Sequence, residues 1–140
     1  MGYTIFDSEK GGLRAEMTFF VPVGENCELH DLVLANNTKE AKTVHVWGVM
    51  EWCLWNAVDD ANNYQRNLNI AESEVEDGII YHKTEYRERR DHYAFYGVNV
   101  PAAGWDTDRN TFLGHMGDWS DPQLVREERS ASSRITGWYP

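Results

Sequence analysis

The chain has 140 residues, with 23 acidic against 13 basic side chains and a formal net charge of -10. That acidity repels nucleic acid and anionic membrane surfaces, which excludes both as partners. A hydrophobic fraction of 41% excludes a largely disordered chain and is enough to build one domain with a core.

The N-terminal "MGYTIFDSEKGG" has no basic n-region and no apolar h-region, so it carries no visible secretory signal. Gly2 follows the initial Met, but Phe6 stands where a myristoyl signal wants Ser or Thr. "GLRAEMTFFVP" alternates: Leu13, Ala15, Met17, Phe19 and Val21 share one side, with Arg14, Glu16 and Thr18 on the other. This predicts a period-2 strand that ends at Pro22. "GEN" then signals a hairpin into a second strand, "NCELHDLVLANN", closed by the turn formers Asn36 and Asn37.

"AKTVHVWGVMEWCLWN", residues 41–56, predicts a third and longer strand. Val44, Val46, Met50, Trp52 and Leu54 share one face, and His45, Trp47, Val49, Cys53 and Trp55 the other. With both faces apolar, coverage on both sides is expected. "GIIYHKTEY", preceded by the turn signal Asp77-Gly78, and "HYAFYGVNV" predict two more strands joined by the charged "RERRD". "DTDRNTFLG" predicts a helical turn, and "SDPQLVREE" another with Asp121 as N-cap and Pro122 at the first helical position. The fold class expected is all-β, an antiparallel β-sandwich with one or two short helical turns. The chain starts almost inside a strand and stops at the apolar "RITGWYP", so a piece of a larger domain is expected. No apolar run is long enough to span a bilayer. Cys27 and Cys53 lie in apolar runs and are expected as free thiols, which fits a cytoplasmic chain.

"WNAVDDANNYQRN", Trp55 to Asn67, stands out by its neutral amides: four Asn and one Gln beside two aromatics. Amides do not titrate, but they set donors and an acceptor side by side, which suits a ligand covered in hydroxyls. Trp and Tyr offer flat faces to sugar rings. An Asn-rich loop that satisfies its own turns explains the same residues equally well. Asp59/Asp60 and Asp106/Asp108 raise a glycosidase pair, since two carboxylates can flank a glycosidic bond. Adjacent Asp residues in loops are more often turn formers and caps. His82 and His92 flank "KTEYRERRD" without matching a metal spacing, and no metal site is expected. The arginines of that run could fork onto a phosphate, but Glu85, Glu88 and Asp91 beside them favour surface ion pairs. No phosphate-binding glycine motif or nucleophile pattern appears.

"GLRAEMTFFVP", "VMEWCLWNAVDDANNYQRN", "IIYHKTEYRERRDHYAFYGVN" and "GWDTDRNTFLG" resemble, in that order, the N-terminal β-sandwich of cellobiose phosphorylases. The resemblance runs from about Gly2 to Trp138. "FVP" and "FLG" are shared with chitobiose phosphorylases, while the longer runs place the chain nearer the cellobiose branch, with cellodextrin and laminaribiose phosphorylases as neighbours. "NLNIAESEVED" departs from the family's usual run after Asn67.

The resemblance implies a partial, supersandwich-like N-terminal domain over residues 1–140, with the catalytic helical barrel absent. It implies an inverting phosphorolysis in the parent enzyme: cellobiose plus inorganic phosphate gives α-glucose 1-phosphate and glucose. Phosphate is the co-substrate and nucleophile, so no cofactor and no separate base are implied. The general acid would lie in the barrel, no catalytic residue is assigned to this chain, and the chain alone is expected to be inactive. The family is homodimeric, with a sandwich loop of one subunit closing over the acceptor-sugar subsite of the other. Asn56, Asn63 and Gln65 match that loop and are the implied substrate-binding residues for the departing glucose. Two alternatives from other classes stay open: a stand-alone carbohydrate-binding module, and a structural or dimerisation piece that binds no ligand.

Overall fold

The computed structural model describes residues 2–54, 56–62, 71–84, 92–128 and 137–139. The chain divides into two units, Met1–Val46 and Trp47–Pro140. The described residues form two antiparallel sheets with few short helices, which is the expected all-β class. Among them no helix is long and apolar enough to cross a membrane.

The first unit is a three-stranded sheet of β1 (Tyr3–Lys10), β2 (Leu13–Phe20) and β3 (Leu29–Asn36), in that order. Lys10 pairs with Leu13, so Gly11 and Gly12 make a two-residue turn. Their φ values of 59° and 74° are the left-handed conformation that such a turn requires and glycine adopts freely. The alternation expected of β2 is present. Phe19 meets Phe6 edge-on at 5.4 Å and His30 at 4.3 Å on one face. On the other, Arg14 forks onto Asp7 at 2.9 and 3.0 Å and reaches Glu16 at 2.8 Å. That guanidinium holds the Asp7 carboxyl below its usual range. Beyond β3, Asn36 closes the turn as expected: its Oδ1 accepts from the Thr38 N–H and hydroxyl, and its Nδ2 donates to the Glu40 carbonyl.

The second unit holds a four-stranded sheet in the order β6-β5-β4-β7, with β4 (Ala71–Glu76), β5 (Ile79–Thr84), β6 (His92–Tyr96) and β7 (Gly137–Tyr139). Asp77 and Gly78, at φ 50° and 80°, make the β4–β5 turn. Its helices are α1 (Ala57–Asn62), α2 (Arg109–Leu113) and α3 (Gln123–Arg126).

Residues 41–54 are not the expected long strand, and no ladder forms there. Coverage on both sides is not found either: Val49 and Met50 are exposed, and Trp47 and Trp52 are the half-buried aromatics of the run within the second unit. Trp52 stacks on His82 of β5, with ring centroids 4.6 Å apart and planes 17° apart. Trp47 turns toward Phe112 of α2 at 6.1 Å. Gly48 lies against the Tyr96 hydroxyl, where a Cβ would collide with it. The Leu54 carbonyl accepts from the His92 ring at 3.1 Å. Side chains therefore fix residues 47–54 to the sheet face and to α2, and an alternation of apolar residues reports those two faces without specifying a ladder.

α2 follows its sequence. Asp108 caps it, accepting from the N–H groups of Asn110 and Thr111, and Gly114 ends it. α3 starts one residue later than expected: extended Pro122 is its cap, with no side-chain capping bond. Asp121 is not the cap. Its carboxylate accepts from Arg126 at 2.6 Å. Leu113 of α2 and Leu124 of α3, 6% and 2% exposed, are the buried apolar residues among those described.

Candidate functional site

The amide-rich stretch begins with a helix where the sequence reads as a loop. Asn56 Oδ1 accepts from the N–H of Val58 at 3.0 Å and of Asp59 at 3.1 Å. These are the second and third positions of α1, so Asn56 is its N-cap and satisfies two donors that no helical carbonyl can reach. Asp59 stands in the first turn, where the helix dipole favours a negative charge. At the other end, Asn62 Nδ2 donates to the Val58 carbonyl at 2.8 Å. Two of the amides are thus bonded within the helix itself. Asn63 and Gln65, the other two residues implied for the sugar, lie outside the described residues, as do Tyr64 and Arg66.

The carboxylate pairs resolve mostly into turn chemistry. Asp59 and Asp60 occupy successive positions of α1. Asp108 is committed to the α2 cap, with the Thr111 hydroxyl also donating to it at 2.6 Å. Asp106 Oδ1 accepts from the Asp108 N–H at 2.8 Å. Burial pushes the Asp106 carboxyl above its ordinary value, partly opposed by that N–H. Among the described residues its Oδ2, like the adjacent Trp105 Nε1, is buried with no hydrogen-bond partner.

His30, His82 and His92 are engaged in hydrogen bonds. His82 meets Ser73 Oγ through Nδ1 at 2.9 Å and Thr84 Oγ1 through Nε2 at 3.2 Å. A Ser beside a His suggests a nucleophile and its base, yet three features argue otherwise. Ser73 is 7% exposed. The second ring nitrogen meets a hydroxyl where a triad has a carboxylate. Burial also holds the His82 imidazole below its ordinary value of 6.5. This is a core network on β4 and β5. The flanking "YRERRD", weighed above for phosphate, lies outside the described residues. An open depression of about 390 Å³ beside α2 and α3 includes Asp118, Asp121 and Arg126. These are bonded already, Asp118 to Ser120 and Asp121 to Arg126.

The His82 network carries a pH dependence whose sign follows from that depressed value. The native state binds this proton less readily than the unfolded chain, so the contribution is complete above about pH 6.5 and declines as pH falls through the lower folded value. The urea midpoint is expected to drop as the pH falls below about 6.5 toward the lower folded value. In His82→Gln this part of the decline should vanish; an unchanged profile would show that His82 does not cause it.

The pattern for the family described as glycosyl hydrolase 94, supersandwich domain, matches residues 1–140. The chain is 28% identical over 138 residues to the N,N'-diacetylchitobiose phosphorylase of Vibrio furnissii, covering 97% of this chain and 17% of that protein. The corresponding protein of Vibrio proteolyticus gives the same identity and coverage. The solabiose phosphorylase of Paenibacillus borealis is 26% identical over 130 residues, covering 89% of this chain and 16% of that protein. The chain therefore spans about a sixth of the length of these curated relatives.

Proposed function

The chain belongs to the glycosyl hydrolase 94 supersandwich-domain family, and from that premise we propose that it serves a disaccharide phosphorylase as its N-terminal sandwich. The substrate proposed is cellobiose. A phosphate oxygen attacks the anomeric carbon of the non-reducing glucose from the α face. The glycosidic oxygen departs with a proton from a general acid in the helical barrel of the parent, leaving α-glucose 1-phosphate and glucose. The observation that supports this reading is the family match along residues 1–140, joined by relatives that are all named as disaccharide phosphorylases. The sugar phosphate is charged and does not cross a membrane, which supports a cytoplasmic enzyme.

The stretch around α1 belongs to the acceptor subsite in this reading, with Asn56, Asn63 and Gln65 as its residues on this chain, serving the other subunit of a homodimer. Neutral amides suit that place. They grip several hydroxyls and add no charge beside the phosphate. Gln65→Ala in the full-length enzyme, assayed in the synthetic direction, is expected to raise the glucose KM by up to about tenfold, the value of one lost hydrogen bond. Affinity for glucose 1-phosphate should barely change. Unchanged glucose kinetics with lowered thermal stability would overturn the acceptor reading.

The stand-alone sugar-binding reading draws on one observation: Tyr93 and Phe95 are exposed at alternate positions of β6, with Lys83 5.7 Å from the Tyr93 ring centroid. Binding of cellobiose to the isolated chain, lost in Tyr93→Ala, would favour it.

A further inference from the structure

We propose that the open face of the second sheet, centred on Tyr93 and Phe95 of β6, binds a neutral β-linked gluco-oligosaccharide. This deepens the sugar-binding reading of that pair, and it holds whether the chain stands alone or serves a parent enzyme. The register builds the face. Tyr93 lies opposite Lys83, and Lys83 opposite Glu72; Phe95 lies opposite Tyr81, and Tyr81 opposite Glu74. Direct partners share a face, so these side chains form two rows across β6, β5 and β4. The reverse face carries Ser73, His82, Ala94 and Tyr96, with Trp52 stacked on His82 and Gly48 against the Tyr96 hydroxyl.

On the outer face Tyr93 is 65% exposed and Phe95 64%. The solvent side of an antiparallel sheet is ordinarily polar, so two large exposed rings there mark a contact surface. The chemistry of the two rows selects the occupant. The core of a protein interface is depleted of Lys and Glu, yet here Lys83 and Glu74 stand in the same rows as the rings, with the Lys83 ammonium 5.7 Å from the Tyr93 ring centroid. A net charge of -10 turns away a polyanion. A neutral sugar chain fits both parts of the surface. β-linked glucose carries its hydroxyls equatorially and leaves flat C–H faces that suit aromatic rings. Its hydroxyls can donate to the Glu72 and Glu74 carboxylates and accept from the Lys83 ammonium. Tyr93 and Phe95 stand two positions apart, about 6.6–6.8 Å along a strand, so the two rings can serve neighbouring sugars of one chain.

The test is native electrophoresis of the full-length enzyme through gels containing soluble mixed-linkage β-glucan, with α-linked dextran as the control. The enzyme is expected to be retarded by the β-glucan and not by dextran. Tyr93→Ala and Phe95→Ala should each weaken the retardation about three- to tenfold, and the double variant should abolish it. Tyr93→Phe, which keeps the ring, should stay within about twofold of the parent. Both side chains are exposed, so unchanged melting temperatures are expected and show that the variants fold. No retardation of the parent, equal retardation in dextran, or a double variant retarded like the parent would each overturn the site. A double variant that changes oligomeric state in sedimentation without glucan would make the face a contact between copies of the chain, which also overturns it. Phosphate-dependent cleavage of cellobiose by the same preparation is followed separately. Its absence would remove the phosphorylase reading and leave this site standing, whereas cleavage without retardation would remove this site alone.

Discussion

Leu124→Ala should cost about 2–5 kcal/mol of unfolding free energy, the range for removing a buried Leu side chain and leaving a space that neighbours only partly fill. Leu124 is 2% exposed on a four-residue helix, and Leu113 on α2 is the other buried apolar residue among those described. α2 and α3 pack closely: a Cβ on Gly114, which ends α2, would collide with the Gln123 side chain at the start of α3. Such short helices persist through this packing, because neither is long enough to persist alone. Val125, the next residue, is 38% exposed, and Val125→Ala should cost under about 1 kcal/mol. Urea unfolding of the two variants checks this. Equal costs would mean that the α2–α3 contact is not where this part of the chain is held.

The strands were legible where alternation and turn chemistry agree. β2 shows its two faces in "LRAEMTFF", and Asp77-Gly78 marks the turn that the β4–β5 hairpin uses. β1 escapes sequence reading because Tyr3, Ile5 and Phe6 fall on both sides of it. The signal that could have found it is Gly11-Gly12, a two-residue hairpin turn needing a strand before it as well as after. β4, "AESEVE", reads as charged surface, and only the Asp77-Gly78 turn requires a partner for β5. In the other direction, residues 41–54 have strand composition but no ladder. Trp52 stacks on His82 and Trp47 meets Phe112 at a tilt, contacts made with residues far along the chain, while Val44, Val46, Val49 and Met50 are exposed.

The candidate site was legible in kind and not in detail. Amides in "WNAVDDANNYQRN" suggest either sugar recognition or self-satisfied turns, and Asn56 and Asn62 follow the second pattern. An Asn directly before Ala-Val-Asp-Asp is a helix start, a signal masked by the density of turn formers after it. The Asp106 oxygen that has no partner among the described residues, and the network of half-buried His82 with buried Ser73 and Thr84, depend on burial, which no local pattern contains.

The central proposal is that this chain serves phosphorolysis in a longer enzyme and does not perform it alone. Phosphorolysis needs a general acid aimed at the glycosidic oxygen and a cationic cradle for phosphate. Four of the described carboxylates are committed otherwise: Asp7 to Arg14, Asp108 to the α2 cap, Asp118 to Ser120 and Asp121 to Arg126. Asp106, whose carboxyl burial pushes above its ordinary value, is bonded to the backbone of Thr107 and Asp108. The most direct measurement follows anomer-resolved glucose 1-phosphate from cellobiose and inorganic phosphate, using the purified 140-residue chain and the full-length enzyme side by side. The full-length enzyme is predicted to release the α anomer in a strictly phosphate-dependent reaction, and the isolated chain none. Glucose 1-phosphate from the isolated chain, or phosphate-independent release of glucose by the full-length enzyme, would contradict the account.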